Sequence, residues 1–310
     1  MKVVEVRSNM DESRKQSFAR ALAWCYAWGL EASPQYDLSI FQQTREALKN
    51  KKPEEIPTKI KAKIKQLQDL DFPKSTKELQ AKTAELGKLW QAKIGLVYGG
   101  ATKIKGYVFE AAKLPDIRGA SAILDRVNLS DLPAFFSRKN PQINQWLNAN
   151  FPGLQEGLIE ELIVYSTGGN ILAFCPAALV DDLANAIEKR YTEETLTANS
   201  CAVGETFKML EVRFGLLPDE IEKTLWLDWY KNHSENELVK AYFNRKDDLE
   251  EDFQNRKSFN ELVGKLATRF NQRRAGNILP NNKPNNRPII SLIISALPVS
   301  ILLCLKLILI

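Results

Sequence analysis

The sequence predicts an α+β fold, a small antiparallel sheet with helices on one face, and three stretches carry that prediction. The first is ELIVYSTGGNILAF (Glu161 to Phe174). It holds two short apolar runs, Leu162 to Tyr165 and Ile171 to Phe174, joined by Gly168, Gly169 and Asn170, which tolerate the positive φ of a tight hairpin turn. The second is IGLVY (Ile94 to Tyr98), a strand pattern that leads into two helical segments. The third follows the hairpin: an amphipathic helix and then strand character over Thr195 to Val203. Strand, helices, hairpin, helix, strand is a βαββαβ unit of the ferredoxin-like kind, here with flanking helical regions.

Residues 1–92 read as helical and polar. Ser13 and Gln16 have capping-box spacing, and Phe18, Leu22, Cys25 and Trp28 recur at helical intervals, so one face packs while Arg14, Lys15 and Arg20 stay wet. Seven lysines lie between Lys49 and Lys65 against Glu54 and Glu55, with Ile56, Ile60 and Ile64 on one face. Such a stretch is either a basic helix lying on RNA or a solvated helix. The solvated helix is the expectation, because no arginine or aromatic is interleaved. Pro73 closes it, and Ser75 with Glu78 opens another helix carrying Leu79, Leu86 and Trp90.

After the strand at Ile94, Gly99 and Gly100 are expected to form a tight exit, and Lys103 to Phe109 begins a helical segment. Pro115 and Asp116 start a second helix, in which Ile117, Ala120, Leu124 and Val127 share a face. A polar loop containing Pro133, Pro141 and Pro152 leads to a hairpin expected to be buried. Beyond it, Pro176, Asp181 and Asp182 open a helix whose Val180, Leu183 and Ile187 face inward, and Lys189 and Arg190 suit its negative C-terminal end. Glu205 to Phe270 reads as charged helices. Phe207, Leu210 and Phe214 share one face, Trp226, Trp229 and Tyr230 come next as core or helix-contact residues, and Phe259, Leu262 and Leu266 follow.

Composition narrows the chemistry. A net charge of +5, from 43 basic and 38 acidic residues, is too mild to imply nucleic-acid binding by itself. The four cysteines, Cys25, Cys175, Cys201 and Cys304, form no CxxC pair, which argues against a zinc knuckle or a disulfide framework and for reducing, cytoplasmic surroundings. A single histidine, His233 in the polar run KNHSENE, excludes any metal mechanism needing two. The opening MKVVEVRSNMDESRK turns charged before an apolar region of signal-peptide length forms, so secretion is not expected.

In nucleotidyl-transferring enzymes with such a palm, the hairpin tip meets the end of the first strand, and carboxylates there hold divalent metal. The acids are needed because two magnesium ions must neutralise the triphosphate and the attacking oxygen. Here the tip reads Gly168, Gly169, Asn170, Ile171, and the first strand leaves through Tyr98, Gly99, Gly100, Ala101 and Thr102. Neither place holds Asp or Glu, so no catalytic and no metal-ligating residue is expected.

Together, TKIKGYVFEAAKLPDIRGASAILDRVN (Thr102 to Asn128) and IVYSTGGNILAF (Ile163 to Phe174) resemble the first palm domain of the large subunit of type III CRISPR effector complexes, the Cmr type in particular. The similarity extends to about Val203 and more loosely to FNQRRAGN (Phe270 to Asn277), somewhat more than half of the chain. It implies an RNA-guided antiviral defence complex in which the first palm is the non-catalytic partner of a second, GGDD-bearing palm. The pair makes cyclic oligoadenylates from ATP, with magnesium, when target RNA is bound. The implied partners are the other effector subunits, the guide RNA and that second palm. This chain contains no GGDD, no second βαββαβ pattern after Val203, and no histidine before His233 that could serve an HD nuclease domain.

A nucleotide-binding surface is the site expectation that goes with this resemblance. Arg118, Gly119, Ala120 and Ser121 are read as the first turn of a helix, where free N–H groups attract phosphate, with Gly168, Gly169 and Asn170 nearby. The alternative reading is that Gly119 and Ala120 are small for tight packing and Arg118 is a surface or ion-pair residue.

The expected organisation is a helical region over 1–92, the palm-like domain over 93–204, a helical region over 205–276, an Asn/Pro-rich linker over 277–288 and an apolar tail over 289–310. The tail, IISLIISALPVSILLCLKLILI, reads either as the product of a frameshift after Arg287 or Pro288, or as a membrane anchor preceded by Arg273, Arg274 and Arg287. Two rival functions accompany these readings. One is a tail-anchored binding protein. The other is a nucleotidyl cyclase whose metal ligands come from elsewhere, such as Asp125 or Glu110.

Overall fold

The computed structural model describes residues 12–70, 84–110, 113–216 and 259–275, with residues 78 and 81. His233, the Trp226–Trp229–Tyr230 group, the helix start at Ser75, the linker and the apolar tail lie outside the described residues. The chain falls into two compact units. One comprises Met1–Leu96, Phe174–Val180 and Glu205–Thr268, the other Val97–Ala173, Asp181–Gly204 and Arg269–Ile310.

In the first unit, α1 (Glu12–Trp28) ends at Gly29, whose φ of +98° only glycine adopts readily. Leu22, Cys25 and Trp28 are almost wholly inaccessible, but so are Ala21, Ala23, Trp24 and Ala27, so this part of α1 is buried nearly all round rather than along one stripe; Phe18 and Arg20 are half-buried. Trp24 and Trp28 meet Phe41 of α2 (Leu38–Lys49) with ring centroids 4.9 and 5.0 Å apart. A single 3-10 turn, Pro53–Glu55, precedes α3 (Thr58–Gln68), which lies along α1 and buries Ile60 and Leu67. Ile56, just ahead of α3, is buried with them. A short helix, α4 (Gly87–Gln91), leads into the sheet.

The sheet has four antiparallel strands, β1 (Lys93–Thr102), β2 (Ile163–Thr167), β3 (Asn170–Pro176) and β4 (Asn199–Lys208), in the order β2-β3-β1-β4. Between β1 and β2 come α5 (Ile104–Val108), α6 (Leu114–Arg126), one π turn (Val127–Asp131), α7 (Leu132–Ser137) and α8 (Pro141–Asn150). The helix α9 (Val180–Thr195) joins β3 to β4, and α10 (Glu211–Phe214) and α11 (Phe259–Arg274) complete the described elements.

Several expectations need correction. Gly99 and Gly100 are not a strand exit: β1 runs through them to Thr102. A Cβ on Gly99 would lie 2.6 Å from Ala202 Cβ, so glycine here serves the close approach of a neighbour rather than a turn. The hairpin is not buried throughout. Its β3 strand is, but β2 is an edge strand with Val164 41% and Tyr165 37% exposed and an irregularity between Ile163 and Tyr165.

The segment expected to be a polar loop contains α7 and α8, because Pro133 and Pro141 sit in the first turns of helices, where a missing N–H costs nothing. The last strand begins at Asn199 rather than Thr195, since α9 continues to Thr195 and places Arg190 inside the helix. Phe207 belongs to β4 and Leu210 to the following turn, so the helical face expected for Phe207, Leu210 and Phe214 does not exist as such.

Candidate functional site

The hairpin tip and the end of β1 do come together. Gly168 and Gly169 have φ of +63° and +84°, the two consecutive positive values that a tight twisted hairpin requires, and Thr167 pairs with Asn170 across the turn. The N–H of Ala101 donates to the carbonyl of Gly169 at 3.0 Å. A Cβ on Gly100 would lie 2.1 Å from that same carbonyl oxygen, so the two backbones meet only because residue 100 has no side chain.

Two residues outside the expected set close this junction. The Tyr191 hydroxyl of α9 lies 3.3 Å from the Gly169 carbonyl and 3.3 Å from Asn128 Oδ1, and both Tyr191 and Asn128 are buried. Asn128 in turn accepts, on its carbonyl, a 2.7 Å hydrogen bond from Ser166 Oγ of β2. Burial drives the Tyr191 phenol far above the ordinary tyrosine range; a hydrogen bond from the Ala101 backbone opposes this, and the negative charge of Asp125 adds to it. Tyr191 is therefore a neutral hydroxyl at physiological pH, a fixed hydrogen-bonding group rather than an acid or base.

The junction thus presents glycine, asparagine and tyrosine where metal chemistry would need carboxylates. Asp125 and Glu110, the acids considered as alternative metal ligands, are exposed. Among the described residues no group of three or more His, Cys, Asp and Glu side chains is placed to hold a metal ion.

The structure does not give Arg118, Gly119, Ala120 and Ser121 the environment expected of them. The helix starts at Leu114, so these residues lie beyond its first turn, where N–H groups are spent on carbonyls four residues back. At the true start, Pro115 has no N–H, and the N–H groups of Asp116 and Ile117 both donate to the Lys113 carbonyl at 3.1 Å. The physical premise of a phosphate cradle there fails. Of the alternative, tight packing at Gly119 fails, because a Cβ there would meet nothing within 4 Å, whereas Arg118 is an exposed surface residue as that alternative had it. Among the described residues no hydrogen bond or ion pair joins Arg118–Ser121 to Gly168–Asn170.

A charged cluster joins α9 to the π turn, in the residues next to Tyr191 and Asn128. Arg190 of α9 places Nε 2.9 Å and Nη2 2.7 Å from Asp131 Oδ2 in the π turn, and Nη2 2.6 Å from Glu194 Oε1. Arg126 pairs with Glu194 as well. The guanidinium of Arg190 sits 5.3 Å from the ring centroid of Trp146, whose Nε1–H donates to Glu193. Sequence could have led to Tyr191, because it extends the inward stripe Leu183, Ile187 by one more turn. The pairing of Asp131 with Arg190 had no such signal.

A second surface, on α3, also differs from its reading. Lys63 Nζ lies 3.5 Å from the Tyr26 ring centroid and 5.8 Å from that of Tyr36, and Lys59 Nζ lies 5.1 Å from Tyr36. The aromatics missing from the lysine-rich stretch are supplied by α1 and the loop after it. Comparison of the chain with known protein families, with curated proteins and with solved structures finds no match.

Proposed function

We propose that this chain contributes to the large subunit of a type III CRISPR effector complex of the Cmr type, supplying its non-catalytic first palm. The observation that carries the reading is the junction of Ala101 with Gly169. It lies where a catalytic palm would gather metal-binding acids, yet it is closed by Gly100, Asn128 and Tyr191. The strand order β2-β3-β1-β4, with β3 inserted between β1 and β2, supports the split βαββαβ arrangement of a palm. The sequence stretches Thr102 to Asn128 and Ile163 to Phe174 supply the link to this family rather than to palms in general.

On this reading the chain has a structural role, with a second palm, other effector subunits and guide RNA as partners. ATP and magnesium belong to the chemistry of the GGDD palm. On this reading no nucleotide is assigned to the start of α6, where the N–H groups of Asp116 and Ile117 are already bonded to the Lys113 carbonyl.

The test has two arms. Purified chain incubated with labelled ATP and magnesium or manganese should yield no oligoadenylate; turnover by the chain alone would transfer the reading to a cyclase with ligands such as Asp125 or Glu110. Translation of the neighbouring DNA in all frames should reveal a cysteine-rich segment and a GGDD palm, and finding neither would sink the assignment.

A further inference from the structure

Both long flanks of α3 are positive. Its sequence, TKIKAKIKQLQ, contains four lysines and no acid. With 3.6 residues per turn, Ile60, Ile64 and Leu67 face α1, Lys59 and Lys63 edge that stripe on one side, and Lys61 and Lys65 edge it on the other. Lys59 and Lys63 are the pair set against Tyr36 and Tyr26. Lys61 and Lys65 line a cavity of about 300 Å³ beside α1, together with Arg20, Gln16 and Gln68, and no carboxylate is among its lining residues.

These cations are not neutralised locally. Arg20 reaches only the side-chain oxygen of Gln16 at 3.4 Å, and Lys61 is spent on the backbone carbonyl of Glu54. The Glu55 carboxylate is taken by Lys52 at 2.6 Å. Among the described residues no ion pair involves Lys59, Lys61, Lys63, Lys65 or Arg20. Burial, and after it the ammonium of Lys88, holds Lys63 below the ordinary lysine range, as befits a positive group with like charge beside it.

We infer that α3, with the cavity beside it, is a binding surface for single-stranded nucleic acid, held through its phosphates. Lysines on both flanks give a sequence-independent track for a backbone, and rings of Tyr26 and Tyr36 hold two of the ammonium groups in place. A membrane surface is the poorer match, because an interfacial helix sets large apolar side chains beside its lysines. The outward positions of α3 are Thr58, Ala62 and Gln66 instead, all exposed. The inference uses residues of the first unit only and does not depend on the palm reading.

The experiment is fluorescence anisotropy of the full chain with labelled oligouridine across a salt series. K59A/K63A and K61A/K65A should each reduce the magnitude of the log–log salt slope by about 1.4, about 0.7 for each lost phosphate contact. Y36F should keep the wild-type slope, and K139A, which removes a lysine paired with Glu160, should leave it unchanged. Circular dichroism checks that the lysine variants are folded.

Absence of oligouridine binding at low salt, or slopes unaltered in both lysine variants, would overturn the inference. So would inorganic phosphate competing as well as the oligonucleotide, which marks a simple anion pocket. Binding to phosphatidylserine vesicles but not to oligouridine would assign the surface to a membrane and refute it too. None of these results bears on ATP turnover or on the neighbouring reading frames, so failure here leaves the palm proposal to its own test.

Discussion

The carbonyl oxygen of Gly169 would sit 2.1 Å from a Cβ at residue 100, whereas a Cβ at residue 119 would touch nothing. Gly100 and Gly119 therefore predict opposite signs. Gly100→Ala forces the hairpin tip away from β1 and should cost roughly 2–3 kcal/mol, the upper part of the range of about 1–3 kcal/mol for an overpacked core. Gly119→Ala, on an exposed turn of α6, should be neutral or gain up to about 1 kcal/mol by limiting the unfolded chain. Urea unfolding of both variants checks the pair, and equal losses would mean that the junction is not as tight as described. Tyr191→Phe probes the same junction more gently, removing a hydroxyl that serves Gly169 and Asn128, with an expected loss of about 0.5–1.5 kcal/mol. The turn glycines were legible because positive φ has a residue signature. The need for glycine at 99 and 100 was not, since the same letters mark a turn or a close approach, and only the position of Ala202 and Gly169 decides between them.

At the scale of elements, the apolar periodicities of α6 and α9 were readable, because each stripe is local and repeats every three or four residues, whereas α1 is buried nearly all round from Ala21 to Trp28. What misled was any residue whose role is set by a distant partner. Arg190 suited the end of a helix dipole in sequence, but it lies within α9 and binds Asp131, 59 residues away. That pair ties the π turn to α9 with side chains only 12 and 6% exposed. Asp131→Ala takes two hydrogen bonds from a largely buried guanidinium that keeps Glu194, and should cost about 2–3 kcal/mol. Arg126→Ala removes an ion pair whose arginine is 52% exposed and should cost no more than about 1 kcal/mol. Thermal or urea unfolding of the two variants separates them, and a mild effect at Asp131 would show that α9 is held by its apolar stripe alone. The same rule explains α3: its lysines were visible, but the tyrosines that cap them come from residues 26 and 36.

For the molecule as a whole, Cys25, Cys175 and Cys201 are buried. The consequence is a fold that stores protons. Burial pushes the Cys25 thiol well above its ordinary range, with the nearby Cys175 adding to the shift. Burial likewise raises Tyr191, Tyr26, Tyr107 and Tyr165. For an acid whose folded pKa exceeds its unfolded one, the native state keeps the proton after the unfolded chain has lost it, so stability falls as pH rises. The fall begins where an unfolded thiol ionises, near pH about 8.5, at about 1.4 kcal/mol per pH unit for one such group. It steepens above about pH 10, where unfolded tyrosines ionise while Tyr191 stays protonated in the fold. Urea midpoints measured from pH 7 upward should trace this two-stage decline. Cys25→Ala should flatten the first stage, and Tyr191→Phe should reduce the second while leaving the first intact. Midpoints that hold steady to pH 10 would mean that these groups are hydrated in the native state, contrary to their burial.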